Sequence, residues 1–144
     1  MFGKPSLATR IIVGKIVGFA FGLLGFLILP TILPEVGPMQ RWGFLFWYTT
    51  LGAIIALFGV FNRHPMLNLP LPWWAMAPFL GAWMNFMLTL LMYDDLHRFS
   101  LALLGPDSAF TSPFWFVAEG AVVGLIIGFA ATRIGGEGPE TAGR

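Results

Sequence analysis

Four long apolar stretches alternate with short polar segments along the chain, and each stretch is long enough to cross a bilayer as a helix, which takes about 20 residues. Aromatic residues stand near their ends, and prolines mark where several of them stop. Because the connections are short, consecutive helices should lie side by side. The pattern predicts an all-α integral membrane protein with four transmembrane helices in an antiparallel bundle, covering residues 11–33, 42–61, 74–93 and 113–132.

Two shorter segments complete the predicted organisation. Leu96, Phe99 and Leu103 recur at helical spacing between the third and fourth spans, which predicts a short interfacial helix there. The stretch 135–144 is rich in glycine and charge and is expected to be a mobile cytoplasmic tail, which leaves 1–134 as one transmembrane domain. The first apolar run exceeds the roughly 7–15 residues of a cleaved signal, so it is predicted to remain as a span.

The basic residues fall mostly on one side of the predicted bundle. Arg41 and Arg98 stand on the opposite side. Because cytoplasmic loops carry the excess of lysine and arginine, both termini are predicted to be cytoplasmic, in a bacterial inner (plasma) membrane. The residues on the cytoplasmic side are Lys4, Arg10, Lys15, Arg63, Arg133 and Arg144.

Small residues recur every four positions in every span, most clearly as two triple-glycine repeats near the two ends of the chain. Every fourth residue of a helix falls on nearly the same face, so such a face lets another helix backbone approach closely. These faces are the predicted helix-packing surfaces. They comprise Gly14, Gly18 and Gly22 in the first span, Gly52 and Ala56 in the second, Gly81 in the third, and Gly120, Gly124 and Gly128 in the fourth.

Composition supports the membrane assignment and removes several kinds of chemistry. Hydrophobic residues make up 57% of the chain and charged residues 10%, with a mean hydropathy of +0.79. Because a soluble domain has about 25% charged residues, lipid must be the main solvent of this chain. The net charge of +1 gives no reason to expect nucleic acid, and the absence of cysteine excludes thiolate chemistry. Neither a metal nor a cofactor is expected.

Glu119 is the polar residue that the sequence singles out most sharply. It lies about 9 Å of helix rise beyond Pro113, near the hydrocarbon boundary, where an acid is costly. It is a candidate proton or cation site, or else a hydrogen-bonded carboxyl that joins helices. Asn85 and Thr89 share one face of the third span, where they are expected either to bond across helices or to line a polar path with Glu119.

A second cluster of ionisable residues follows the third span, at Asp94, Asp95, His97 and Arg98. On a helix Asp94 and His97 would share a face and could supply two metal ligands, but zinc sites usually take three or four. The two aspartates could instead cap the short helix that begins there. The cluster therefore remains a candidate surface site without a specified chemistry.

Three functions fit these patterns. The first is a structural or accessory subunit, not an enzyme, whose small-residue faces pack against other membrane subunits or copies of itself. The second is a small homo-oligomeric transporter or channel that uses Glu119 with Asn85 and Thr89. The third is a membrane-surface enzyme that uses Asp94, Asp95 and His97. The lipid bilayer is an expected partner in all three.

Overall fold

The computed structural model describes residues 4–143, and over that range the chain forms five α-helices and one short 3-10 helix. Four of the α-helices are long and apolar enough to cross a membrane, which confirms the predicted all-helical membrane protein. In chain order the elements are α1 (Leu7–Ile32), α2 (Pro38–Phe58), α3 (Trp73–Leu91), α4 (Tyr93–Leu104), α5 (Trp115–Gly135) and the 3-10 helix Pro139–Ala142.

The helix bounds differ from the predicted spans mainly at their ends. Helix α2 begins at Pro38, four residues before the predicted start, because proline suits the first helical position. Helix α5 begins at Trp115 instead of residue 113, and the Ser112 carbonyl accepts a hydrogen bond from the Trp115 amide. Asp94 and Asp95 lie in the first turn of α4 without capping it by a hydrogen bond. Arg144, counted in the charge bias, lies outside the described residues.

The first glycine repeat packs against the backbone of α2. A Cβ added at Gly14 would overlap Gly52, and one added at Gly18 would overlap the Tyr48 carbonyl. At Gly22 the added atom would lie 2.7 Å from the Leu45 carbonyl oxygen. Residue numbers thus rise along α1 as they fall along α2. Because each contact is with backbone, only glycine fits at these positions of α1.

The second glycine repeat, on α5, packs closely against α3. A Cβ at Gly120 would overlap Gly81, and one at Gly124 would overlap the carbonyl of Ala77. Gly128 faces Ala77 as well. The helices therefore form two closely packed pairs, α1 with α2 and α3 with α5. Between the pairs lies a core of Tyr48, Leu51, Ile55, Ala77, Val123 and Ile127.

A buried arginine joins three helices at the end of the bundle where α1 begins and α5 ends. Arg10 on α1 is only 1% exposed. Its Nε donates to the Ala56 carbonyl at 2.9 Å, and its Nη1 donates to Thr132 Oγ1 at 3.2 Å and to the Gly136 carbonyl. Because these acceptors come from α2 and from the end of α5, the guanidinium ties together segments that are far apart in sequence.

The segment after α5 also makes defined contacts with the bundle. The Gly138 amide donates to the Gly59 carbonyl at 3.0 Å, and Glu137 Oε1 accepts from the Trp73 amide at 2.9 Å, at the start of α3. The Ser6 amide donates to the Gly135 carbonyl at 3.0 Å. The mobility expected for residues 135–144 stays a prediction, and these contacts give the segment a preferred position.

Candidate ligand-binding site

Glu119 lies in a hydrogen-bonded cluster built from three helices. Its Oε2 accepts from the Tyr48 hydroxyl at 2.8 Å and from Asn85 Nδ2 at 2.7 Å. Tyr48 stands on α2, Asn85 on α3 and Glu119 on α5. Gly120, the next residue along α5, makes the approach possible, because a Cβ there would lie 2.6 Å from the Asn85 Cβ. The small-residue face and the acid are thus parts of one local arrangement.

Asn85 holds the cluster in place, and both its amide nitrogen and its amide oxygen are already hydrogen-bonded. It is fully buried. Its Nδ2 donates to the Phe116 carbonyl at 2.9 Å as well as to Glu119, and its Oδ1 accepts from Trp47 Nε1 at 3.1 Å. A fully satisfied buried amide rigidifies its neighbours. Asn85 therefore fixes the position of Glu119 instead of facing a space of its own.

Thr89, one turn further along α3, is also fully buried. Its hydroxyl lies 2.8 Å from the Asn85 carbonyl oxygen and 3.4 Å from that of Pro113. Those carbonyls belong to its own helix and to the turn before α5. Neither Asn85 nor Thr89 lines either of the two cavities described below. Of the three residues expected to line a polar path, only Glu119 faces open space.

That space is a cavity of about 530 Å³, here called the chamber, which lies within the size range of small-molecule sites. Its walls come from α1, α2, α4, the loop before α5 and the start of α5, and Gly25 is one of the lining residues from α1. Tyr48, Ser100 and Glu119 supply the hydroxyl and carboxyl groups of its lining, and Trp115 supplies an indole N–H. The aromatic members of the lining are Phe21, Phe44, Tyr48, Phe99, Phe110, Trp115 and Phe116.

The two carboxylate oxygens of Glu119 are not equivalent. Oε2 takes both hydrogen bonds, whereas Oε1 accepts none from the residues that the structure describes. Glu119 is half-buried and lines the chamber, and no fully buried side-chain polar atom of the described chain lacks a partner. Oε1 is therefore the oxygen available to a molecule that occupies the chamber.

A smaller cavity of about 150 Å³, here called the side pocket, adjoins the chamber. Leu29, Phe44 and Phe99 line both cavities, so the same three side chains separate them. The polar residues of the side pocket are Glu35, Gln40, Asp95 and Arg98. A pocket lined by charged side chains thus stands next to the apolar chamber.

The four residues of the predicted surface cluster do not converge on one point. Asp95 pairs with Arg98 and accepts from Gln40 Nε2 at 3.2 Å. His97 Nδ1 lies 3.1 Å from the Thr111 carbonyl oxygen instead of facing Asp94. Across residues 4–143, histidine, aspartate and glutamate form no group of three that could hold a metal ion. Two of these contacts, those with Gln40 and the Thr111 carbonyl, join α4 to α2 and to the loop before α5.

Comparison with known proteins does not assign this chain to a family. No protein-family model, curated protein or solved structure matches this chain. The functional argument therefore rests on the geometry of the chamber and the residues around it.

Sequence reasoning found Glu119 and Asn85 but not the residues that complete the site. A second span that begins at residue 42 places Trp47 and Tyr48 among the aromatic residues near its interfacial end. With its start at Pro38, Tyr48 lies ten residues into the helix and is only 8% exposed. The Gly37-Pro38 pair, a typical helix start, was the signal that would have placed Tyr48 deeper.

Proposed function

We propose that this protein binds a small lipid-soluble molecule inside the bilayer, with Glu119 recognising the polar group of that molecule. One observation carries the proposal: an acid lines an apolar chamber, with one oxygen held by Tyr48 and Asn85 and the other facing no partner. Ligand sites combine mostly apolar walls with a few fixed polar groups, as this chamber does.

We further propose the arrangement of the protein in the membrane. The four spans would form an antiparallel bundle with both termini cytoplasmic, in a bacterial plasma membrane, and α4 would lie at the outer interface. The basic residues near the termini and the polar outer face of α4 support this orientation. The chamber would then lie in the outer half of the bilayer, where a lipid-soluble molecule reaches it from the outer leaflet.

The absence of native cysteine allows a direct test of the orientation. Asp107 and Glu140 are both exposed, one in the loop after α4 and the other in the 3-10 helix. In spheroplasts, a membrane-impermeant maleimide should label an Asp107→Cys variant. It should label Glu140→Cys only after permeabilisation. The reverse labelling pattern would contradict the proposed orientation.

The accessory-subunit hypothesis loses its main support, although it stays a prediction. Its basis was a surplus of small-residue faces, but the glycines of α1 and α5 are occupied by contacts with α2 and α3. A partner would need another surface. Transport through a path lined by Asn85 and Thr89 loses support as well, because both residues are fully buried. Glu119, which the transporter hypothesis also uses, is the central residue of the proposed binding chamber.

Filling the chamber tests the proposed function. The probe is a tritiated para-propylbiphenyl whose far ring carries a hydroxymethyl or aminomethyl group. Gly25 lines the chamber, and the nearest atom to an added Cβ is Leu29 Cδ1 at 4.0 Å. Gly25→Leu should therefore fold but lower the probe affinity at least about tenfold, which is roughly 1.4 kcal/mol.

Gly43→Leu is the matched control, because an added Cβ at Gly43 meets nothing within 4 Å and Gly43 lines neither described cavity. Binding is measured by scintillation proximity in nanodiscs of zwitterionic lipid, with empty nanodiscs subtracted for partitioning. Saturable binding of one probe per chain should survive in Gly43→Leu. Equal affinity in both variants would show that the probe does not occupy the chamber.

A further inference from the structure

We propose that the chamber selects a lipophilic monovalent cation, an aryl-alkyl ammonium in chemical class, over neutral molecules of the same shape. This inference rests on the proposed function and specifies its ligand. Three independent properties of the site carry it: the hydrogen-bonding roles left open in the chamber, its charge, and its aromatic walls.

The hydroxyl and carboxyl groups that line the chamber can accept hydrogen bonds, but the hydroxyl protons are already used, and the Trp115 indole adds one N–H donor to the lining. The Tyr48 hydroxyl donates to Glu119, and the Ser100 hydroxyl donates to the Leu96 carbonyl at 2.9 Å. Glu119 Oε1 is an acceptor when the group is ionised. A ligand that donates hydrogen bonds, such as an ammonium or a hydroxyl, therefore complements the Glu119 end of the chamber better than a ketone or an ether.

The charge of the chamber lining favours a cationic ligand over a neutral hydrogen-bond donor. Glu119 is the only acid among the residues that line the chamber, and that lining includes no lysine, arginine or histidine. A carboxylate removed from water is stabilised chiefly by an opposite charge with good hydrogen-bond geometry. An ammonium at Oε1 would supply that charge and leave the Tyr48 and Asn85 hydrogen bonds to Oε2 intact.

The aromatic walls favour the same ligand class. Seven of the seventeen lining residues carry aromatic rings, and Phe116 stands one helical turn before Glu119. A cation close to ring faces is attracted by their negative quadrupole, and the aryl part of the ligand packs against the same rings. An aliphatic chamber of equal volume would give a cation no such advantage.

The side pocket gives a cation a complementary route from water. It holds two acids, Glu35 and Asp95, against the single base Arg98, so its formal charge is −1. Because Leu29, Phe44 and Phe99 alone line both cavities, a short movement of these side chains would connect the acidic pocket to the chamber. A cleft of one charge sign raises the local concentration of the opposite ion.

The test compares three propylbiphenyl probes that differ only in one group: aminomethyl, which is cationic, hydroxymethyl, which is a neutral donor, and methyl, which has no polar group. In wild-type protein the aminomethyl probe should bind at least about tenfold more tightly than the hydroxymethyl probe, because hydrogen bonds to charged groups are about twice as strong. Glu119→Gln should remove this preference. Glu140→Gln, which neutralises an exposed acid elsewhere, should retain it.

The outcomes separate this inference from the proposed function. Equal or tighter binding of the hydroxymethyl probe, with loss of both in Gly25→Leu, would keep the chamber as a binding site and overturn the cationic class. An aminomethyl preference that survives in Glu119→Gln would overturn it too. No saturable binding of any probe would contradict the proposed function itself. The wild-type comparison decides the ligand class even if Glu119→Gln fails to fold.

Discussion

Replacing Gly18 by leucine is expected to lower the free energy of unfolding by about 3 kcal/mol, at the upper end of the range for over-packing. The new side chain would overlap the carbonyl group of Tyr48, and Gly52 Cα lies 3.2 Å from the added Cβ. Both obstacles are backbone, so no rotamer change on α2 can relieve them. The helices must separate, and the close contact along the whole α1–α2 pair weakens with them.

The measurement is reversible unfolding in mixed micelles, followed by circular dichroism while the fraction of denaturing detergent rises. Gly43→Leu again supplies the control, since its added side chain meets open space and should change stability by no more than about 0.5 kcal/mol. Equal stabilities of the two variants would contradict the packing of α1 against α2 described above.

Replacing Arg10 by methionine should lower the free energy of unfolding by about 2–4 kcal/mol, because a buried acceptor left without its donor costs about 1–3 kcal/mol. The variant would leave the carbonyls of Ala56 and Gly136 and the hydroxyl of Thr132 without the guanidinium. Methionine also avoids the cost of burying the guanidinium charge, which offsets part of the lost stability. Arg63→Met, at an exposed arginine in the loop before α3, is the matched control and should be nearly neutral.

A double-mutant cycle identifies the contact more specifically. Gly59 has an ordinary helical φ of −66°, so alanine is allowed by its backbone, but an added Cβ would overlap the Arg10 guanidinium. Gly59→Ala should destabilise the wild type and cost much less in the Arg10→Met background. Additive effects of the two substitutions would show that Arg10 does not lie against Gly59.

The sequence predicts the helices well because hydrophobic length is a local property. The four spans and the short helix α4 are found where the apolar pattern places them, with errors of a few residues at their ends. Spacing also shows that Gly14, Gly18 and Gly22 share a face of α1. It does not show which helix covers that face, because the partner depends on how all the helices assemble.

The site is less predictable from the sequence, because it too depends on how the helices assemble. Glu119 stands out because an acid at that depth is costly wherever the helix packs. Tyr48 does not, because an aromatic residue near a span end is common, and its hydrogen bond to Glu119 joins residues 71 positions apart. Arg10 looks like one more basic residue near a terminus. Its burial depends on acceptors from two distant segments, α2 and the end of α5.

The location of a bound cation tests the central claim most directly. The probe is the aminomethyl propylbiphenyl with a diazirine on the ring that carries the aminomethyl group. It is photolysed in nanodiscs, and its cross-links are mapped by mass spectrometry. Cross-links should concentrate in α4 and at the start of α5, around Phe99 and Phe116, and excess unlabelled probe should suppress them. Cross-links spread over lipid-facing residues such as Trp83, without suppression by competitor, would contradict a ligand chamber at Glu119.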